Sequence, residues 1–199
     1  MKAIYIQPIV LESDDGESRA YYSFPEELIE KVYEKTSIDF LLKPVVFLRN
    51  DGINNGMYSL NRIVKYAVRK GVIDLECNVV YIFFVEKIIG KTSPCGMSRL
   101  NGNIIFVSLY ERSEKYKNVN SNVINTFILA HEIGHVLGLA HVSENRISSG
   151  KPNIMGYGSF EDRINPQFSL TEDQIKLLLK SKLIYKRIEN YPKVNWFVN

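Results

Sequence analysis

The residues from His131 to His141 are of types that could bind a metal ion and carry out hydrolysis. His131 and His135 are four residues apart, so on a helix they lie on one face, one turn apart. Two imidazoles placed in this way can bind one zinc ion at the roughly 2.0–2.1 Å of a zinc–nitrogen bond. Glu132 follows the first histidine directly and could hold the water on that ion without ligating it.

A glycine and a third histidine extend this pattern. The helix must turn sharply after its second ligand, and Gly138 can take the positive φ that such a turn requires. His141 then completes a set of three ligands. Three protein ligands plus water are typical of a catalytic zinc ion, whereas a structural zinc has four protein ligands.

The pattern is more specific than a chance match. An isolated pair of histidines four apart is common, and a single buried histidine is usually a hydrogen-bonded core residue. Here five positions are fixed at once, and they include all three histidines of the chain. The extended pattern, followed by a later methionine turn, is the metzincin signature. We therefore predict one catalytic zinc ion.

The expected chemistry is hydrolysis of a peptide bond. Zinc acidifies its water and polarises the carbonyl, and Glu132 takes the proton and passes it to the leaving amine. Met155 stands where a metzincin's methionine turn should be and would pack under the histidines. Tyr157 either contacts the metal or the oxyanion of the transition state, or is an ordinary packed tyrosine.

Composition is that of a globular protein, with 45% hydrophobic and 24% charged residues. A net charge of +3 gives no basic footprint for nucleic acid. The N-terminal apolar run is broken by Gln7 and Pro8, and no stretch approaches the length of a membrane span. Cys77 and Cys95 are predicted to be reduced thiols. We expect a cytoplasmic monomer acting on peptides or unfolded protein.

The predicted elements alternate. Strands are expected over 2–10, 38–49 with a break at Pro44, 78–85 and 103–109. Helices are expected after 23, over 59–70, from about 119 and after 169, the first and last opened by capping boxes at Ser23 and Ser169. This order favours an α/β (α+β) fold with helices on a mixed, twisted sheet. Residues 1–199 would form one catalytic domain, with a sheet lobe (1–138) and a small loop-and-helix lobe (139–199).

The strand before the zinc helix is a candidate for substrate binding. At a sheet edge it could hold an extended peptide by main-chain hydrogen bonds. Alternatively it is an interior strand that contacts no ligand. The residues concerned are Asn103, Ile104, Ile105, Phe106 and Val107.

These residues and several other segments resemble the archaemetzincin family over most of the chain. The similar segments are 1–9, 56–58, 61–66 and, most specifically, 96–102 with 105–109. The resemblance implies a metzincin-like fold. It also implies four cysteines that bind a second, structural zinc, but Val142 and Asn153 stand at two of those positions here. We therefore predict a single zinc ion and a C-terminal lobe held by packing of Ile175, Leu178 and Leu179.

Two other functions compete with an intracellular peptidase. One is a zinc-bearing peptide-binding protein without turnover, although the presence of Glu132 argues against it. The other is a toxin-like protease with one dedicated target, which the missing secretion signal disfavours. Cleavage specificity, the choice between chain ends and interiors, and latency are not encoded in these patterns.

Overall fold

The computed structural model describes residues 2–13, 16, 19–49, 60–88, 95–109, 120–143, 150–156 and 167–186. Its strands are β1 (Lys2–Glu12), β2 (Ile38–Leu42), β3 (Val46–Arg49), β4 (Val79–Phe84), β5 (Gly96–Ser98), β6 (Ile104–Val107) and β7 (Tyr185–Lys186). Its helices are α1 (Glu26–Tyr33), a 3-10 turn (Glu34–Thr36), α2 (Leu60–Arg69), α3 (Ser121–Val136) and α4 (Glu172–Leu178).

The described strands form one seven-stranded, mostly parallel sheet. The main path runs β2-β1-β4-β6-β5, and β3 and β7 also pair with β1. β5 pairs antiparallel with β6, and β7 pairs antiparallel with β1. β2 and β3 lie beside the same edge of β1, separated at Pro44 as predicted, because proline lacks the N–H that a continuous ladder needs. The mixed sheet with packed helices confirms the predicted fold class.

β4 is the central strand and is buried along its whole length. Because successive side chains of a strand point to opposite faces, Val80, Ile82 and Phe84 enter one core cluster and Val79, Tyr81 and Phe83 the other. α1 and α3 cover the first face, and α2 covers the second through Ile63 and Ala67. A continuous apolar run of this kind is expected for a parallel strand covered on both sides.

The segments after Gly138 belong to the same core as the sheet. Leu139, Ile154, Met155 and Leu170 are buried in the cluster that contains β4 and α3. Leu178 is fully buried there, and Ile175 and Leu179 pack against it, which confirms the predicted packing of α4. Among the described helices, none combines the length and apolar character that crossing a bilayer requires.

Neither predicted capping box is observed: α1 has no side-chain cap, and the capping box of α4 begins two residues later than predicted. α1 has Pro25 at its N-cap and no side-chain capping bond, so Ser23 does not cap it. At α4 the capping box is formed by Thr171 and Gln174, two residues after Ser169. The main chain of Ser169 is instead bonded to Pro152 and Ile154 in a bridge, which places it outside the helix.

Replacing Thr171 with alanine tests the observed cap. Its hydroxyl accepts the Gln174 N–H at 3.2 Å, so Thr171→Ala should lower the free energy of unfolding by about 1 kcal/mol. Urea denaturation measures the change. Lys176→Ala, which removes an exposed charge from the same helix, is the control and should change stability by less than about 0.5 kcal/mol. Equal effects of the two substitutions would contradict the cap.

Candidate metal centre

Three imidazoles converge at the C-terminal end of α3. His131 and His135 lie one helical turn apart, and their Nε2 atoms are 3.1 Å from each other. The Nε2 of His141 lies 3.0 Å from that of His131 and 3.1 Å from that of His135. The structure therefore brings the three predicted ligands to a single point.

Hydrogen bonds of the Nδ1 atoms orient two of these rings so that their Nε2 atoms face the other histidines. Nδ1 of His131 lies 2.7 Å from the Ile154 carbonyl, and Nδ1 of His135 lies 2.7 Å from the Leu139 carbonyl. A carbonyl oxygen can only accept, so each Nδ1 carries the proton and donates. In a neutral ring, the lone pair of Nε2 is then directed at the other histidines.

The donor set fits a zinc ion. The Nε2 lone pairs of His131 and His135, 3.1 Å apart, cannot hydrogen-bond to each other and repel unless a cation lies between them. A tetrahedral ion about 2.0–2.1 Å from each nitrogen would hold the nitrogens about 3.3 Å apart, within a few tenths of the distances seen. Burial lowers the pKa of His135, and the neighbouring His141 lowers it further. A lowered pKa favours the neutral imidazole that binds metal.

Gly138 allows the chain to turn between the second and third histidines. Its φ is +100°, in the region that residues with a Cβ avoid. The N–H groups of Gly138 and Leu139 bond back to the carbonyls of His135 and Gly134, which closes the end of α3. A Cβ at Gly138 would also lie 2.7 Å from Oδ1 of Asn101.

Met155 lies against the same helix. Its side chain is fully buried, and a Cβ added to Gly134 would overlap its sulfur atom. Its carbonyl accepts the Val142 N–H at 3.1 Å, and its own N–H donates to Oδ1 of Asn153 at 3.0 Å. The turn at Met155 therefore contacts Gly134, which precedes His135, and Val142, which follows His141.

Glu132 lies between α3 and the edge strand β5. Only 7% of its surface is exposed, and this burial raises the pKa of its carboxyl group to about 7. The Ser98 hydroxyl donates to Oε2 at 2.5 Å, and this bond opposes the rise. Glu132 is thus a buried carboxylate that accepts a hydrogen bond from Ser98 and follows His131 directly in the sequence.

No protein-family model and no curated protein matches the sequence. Solved structures do match. Metalloproteinase-II from Bacteroides fragilis aligns with a TM-score of 0.57 and 16% identity, over 90% of this chain and 53% of that protein. The chain therefore spans about half the length of that relative.

Two shorter proteins match over nearly their whole length. The zinc-dependent peptidase from Methanocorpusculum labreanum has a TM-score of 0.55 and 12% identity, covering 87% of this chain and 99% of that one. The archaemetzincin from Methanopyrus kandleri has a TM-score of 0.52 and 18% identity, covering 89% and 94%. The chain has a metallopeptidase-like fold.

The structure decides between the two alternatives for part of the strand before α3. β6 pairs with β4 on one side, and its residues Ile105, Phe106 and Val107 pair with β5 on the other, so these three lie in the interior of the sheet. Asn103 and Ile104 lie outside the ladder with β5, and their contact with a substrate stays a prediction. β5 forms the edge on this side of the described sheet. Tyr157 lies outside the described residues.

Sequence reasoning missed the role of two residues on β5. Gly96 and Ser98 both lie beside Glu132, yet in the sequence only a family resemblance distinguishes their segment. Their spacing of two residues would place them on one face if the segment were known to be a strand. Three residues beginning with glycine give too weak a strand signal for that inference.

The close approach of Gly134 and Met155 predicts that Gly134→Ala destabilises the wild type but stabilises a Met155→Ala variant. Gly134→Ala should lower the free energy of unfolding by about 1–3 kcal/mol, because the new methyl group collides with a buried side chain. In a Met155→Ala background the collision is gone. There the same change should stabilise the protein by up to about 1 kcal/mol, because alanine favours a helix interior over glycine.

Chemical denaturation of the four proteins in this cycle measures both effects. Each background is the control for the other, since the substitution in α3 is identical. A loss of equal size in both backgrounds would show that Met155 does not restrict Gly134.

Proposed function

We propose that the protein is a zinc-dependent peptidase with one catalytic ion, held by His131, His135 and His141. The observation that carries the proposal is the convergence of three Nε2 atoms, two of them oriented by carbonyl oxygens on the far side of the ring. The metallopeptidase-like fold supports it, because solved proteins with this fold include a zinc-dependent peptidase.

Glu132 is the proposed general base. When bound, zinc polarises the scissile carbonyl and makes water acidic enough to react near neutral pH. The carboxylate of Glu132 takes the proton of the attacking water and delivers it to the leaving amine nitrogen. Its burial strengthens its interactions, because the local dielectric is low. No covalent step is needed, so the chain requires no nucleophilic side chain.

The edge strand β5 is the proposed docking site for an extended peptide. The Ser108 N–H donates to the Cys95 carbonyl at 2.8 Å, which marks that pair as hydrogen-bonded. Because such pairs alternate along an antiparallel ladder, the main-chain groups of Gly96 and Ser98 point away from β6. A peptide strand added there would run beside Glu132, whose carboxylate the Ser98 side chain contacts.

Replacing Glu132 with glutamine separates metal binding from catalysis. Glu132→Gln should bind zinc as the wild type does but cleave a peptide library about 10²–10⁴ times more slowly. His135→Ala should lose both properties. Zinc at a hundred times its dissociation constant stabilises a protein by about 2.7 kcal/mol, so melting curves with and without zinc measure binding in each variant.

Glu86→Gln, at an exposed carboxylate after β4, is the control for the charge change. It should leave both zinc binding and cleavage unchanged. A wild-type protein that binds zinc yet leaves every peptide intact would support a zinc-bearing peptide-binding protein instead.

Main-chain recognition by β5 predicts sensitivity to N-methylation of the substrate. Once a cleaved peptide is known, methylating its amides one at a time should lower kcat/KM roughly tenfold or more at positions two residues apart, since each loses a main-chain hydrogen bond. The intervening amides, which point away from β5, are the internal control. Uniform tolerance of N-methylation would exclude strand pairing as the mode of binding.

A further inference from the structure

Gly96 and Ser98 lie on the same face of β5 and both face Glu132. Residues two apart in a strand share a face. A Cβ built on Gly96 would lie 2.6 Å from Oε1 and 2.7 Å from Cγ of Glu132. The Ser98 hydroxyl lies 2.5 Å from Oε2 of the same carboxylate. The two residues therefore lie beside the two oxygens of one side chain.

The space at Gly96 is specific to glycine. Distances under 3 Å to Oε1 and Cγ mean that any larger residue would push the carboxylate out of its position. With 7% of its surface exposed, Glu132 is packed against the sheet, so its carboxylate keeps this position as long as its neighbours on β5 are unchanged. The glycine thus defines where the carboxylate lies.

The hydroxyl of Ser98 fixes the orientation of that carboxylate. Ser98 Oγ lies 2.5 Å from Oε2 but 3.4 Å from the main-chain carbonyl of Glu132, and it has one proton to donate. The carboxylate oxygen at the shorter distance takes it, because 3.4 Å is long for a hydrogen bond from a hydroxyl group. A buried carboxylate oxygen without this donor would lose its partner and turn toward another donor.

A second contact fixes the position of β5 relative to α3. The N–H of Asn101, in the turn after β5, donates to the His135 carbonyl at 3.0 Å, one helical turn beyond Glu132. Asn101 also lies against Gly138, where an added Cβ would meet its Oδ1. Strand and helix are therefore joined at Glu132 and again at the second histidine.

We propose that Ser98 is a positioning residue for Glu132, with Gly96 as its steric counterpart, so that β5 orients the general base while its main chain pairs with the substrate. This inference rests on the proposed function. Ser98 acts through Glu132, because its hydroxyl holds an oxygen of that carboxylate and takes no proton itself. Orientation of a base matters because misplacement by about 1 Å can cost on the order of 100-fold in rate.

Kinetics of three serine variants test the proposal. Ser98→Ala should lower kcat about 10- to 100-fold with KM changed less than about twofold, because the base and not substrate binding is disturbed. Ser98→Thr retains the hydroxyl and should recover most of the rate. Ser108→Ala, which removes a hydroxyl bonded to the Glu86 carbonyl on the adjacent strand, is the control and should behave as wild type.

A double-mutant comparison separates positioning from general damage. If Ser98 acts through Glu132, adding Ser98→Ala to Glu132→Gln should cause little further loss of rate. The proposal would be overturned if the rate losses of the two substitutions multiply in the double mutant. It would also be overturned if Ser98→Ala changes only KM, or leaves kcat unaltered.

Crystal structures provide a readout that does not depend on activity. In Ser98→Ala the Glu132 carboxylate should leave its place beside Gly96 while the three imidazoles stay together. In Ser98→Thr it should remain. A carboxylate that keeps its position in Ser98→Ala would overturn the proposal even in an active enzyme. If the wild type cleaves no peptide, the proposed function fails, and the crystal structures still decide whether Ser98 positions Glu132.

Discussion

The centre depends on two hydrogen bonds from imidazole N–H groups to main-chain carbonyls. Because Ile154 and Leu139 accept from the Nδ1 atoms of His131 and His135, the Nε2 lone pairs face inward. Rings free to rotate would present either nitrogen and would turn the repelling lone pairs apart. The two carbonyls therefore determine both the tautomer and the direction of these two imidazoles, which α3 alone could not do.

The segments that carry these carbonyls are held by further contacts. Leu139 follows the turn at Gly138, and Ile154 precedes Met155 in a turn bonded to Val142. The side chain of Asn153 accepts from the Met155 N–H at 3.0 Å and from the Gln174 amide at 3.2 Å, which connects this turn to α4. A hydrogen bond between two buried amide side chains therefore joins the turn and the last helix.

The sequence predicted the parts of the site that are local in the chain. His131, His135 and Gly138 depend on helix geometry and on one turn, both set by neighbouring residues. The strand predicted over 78–85 is observed over 79–84, because burial on both faces leaves a continuous apolar sequence. The capping residue of α4 was misplaced because Ser169 and Thr171 both fit the pattern, and only the distant bridge to Asn153 distinguishes them.

The edge of the sheet could not be derived in this way. A three-residue strand beginning with glycine has little preference of its own, and β5 exists because β6 offers it a ladder. The Ser98–Glu132 contact joins residues 34 apart and follows from that pairing, not from any local pattern. α3 packs on the sheet with Glu132 turned toward this edge. Gly96 and Ser98 would therefore contact the proposed base through one face of β5 and pair with a bound peptide through its main chain. A displacement of β5 would then alter both at once, so the accuracy of the site depends on a strand too short to be recognised without its partner.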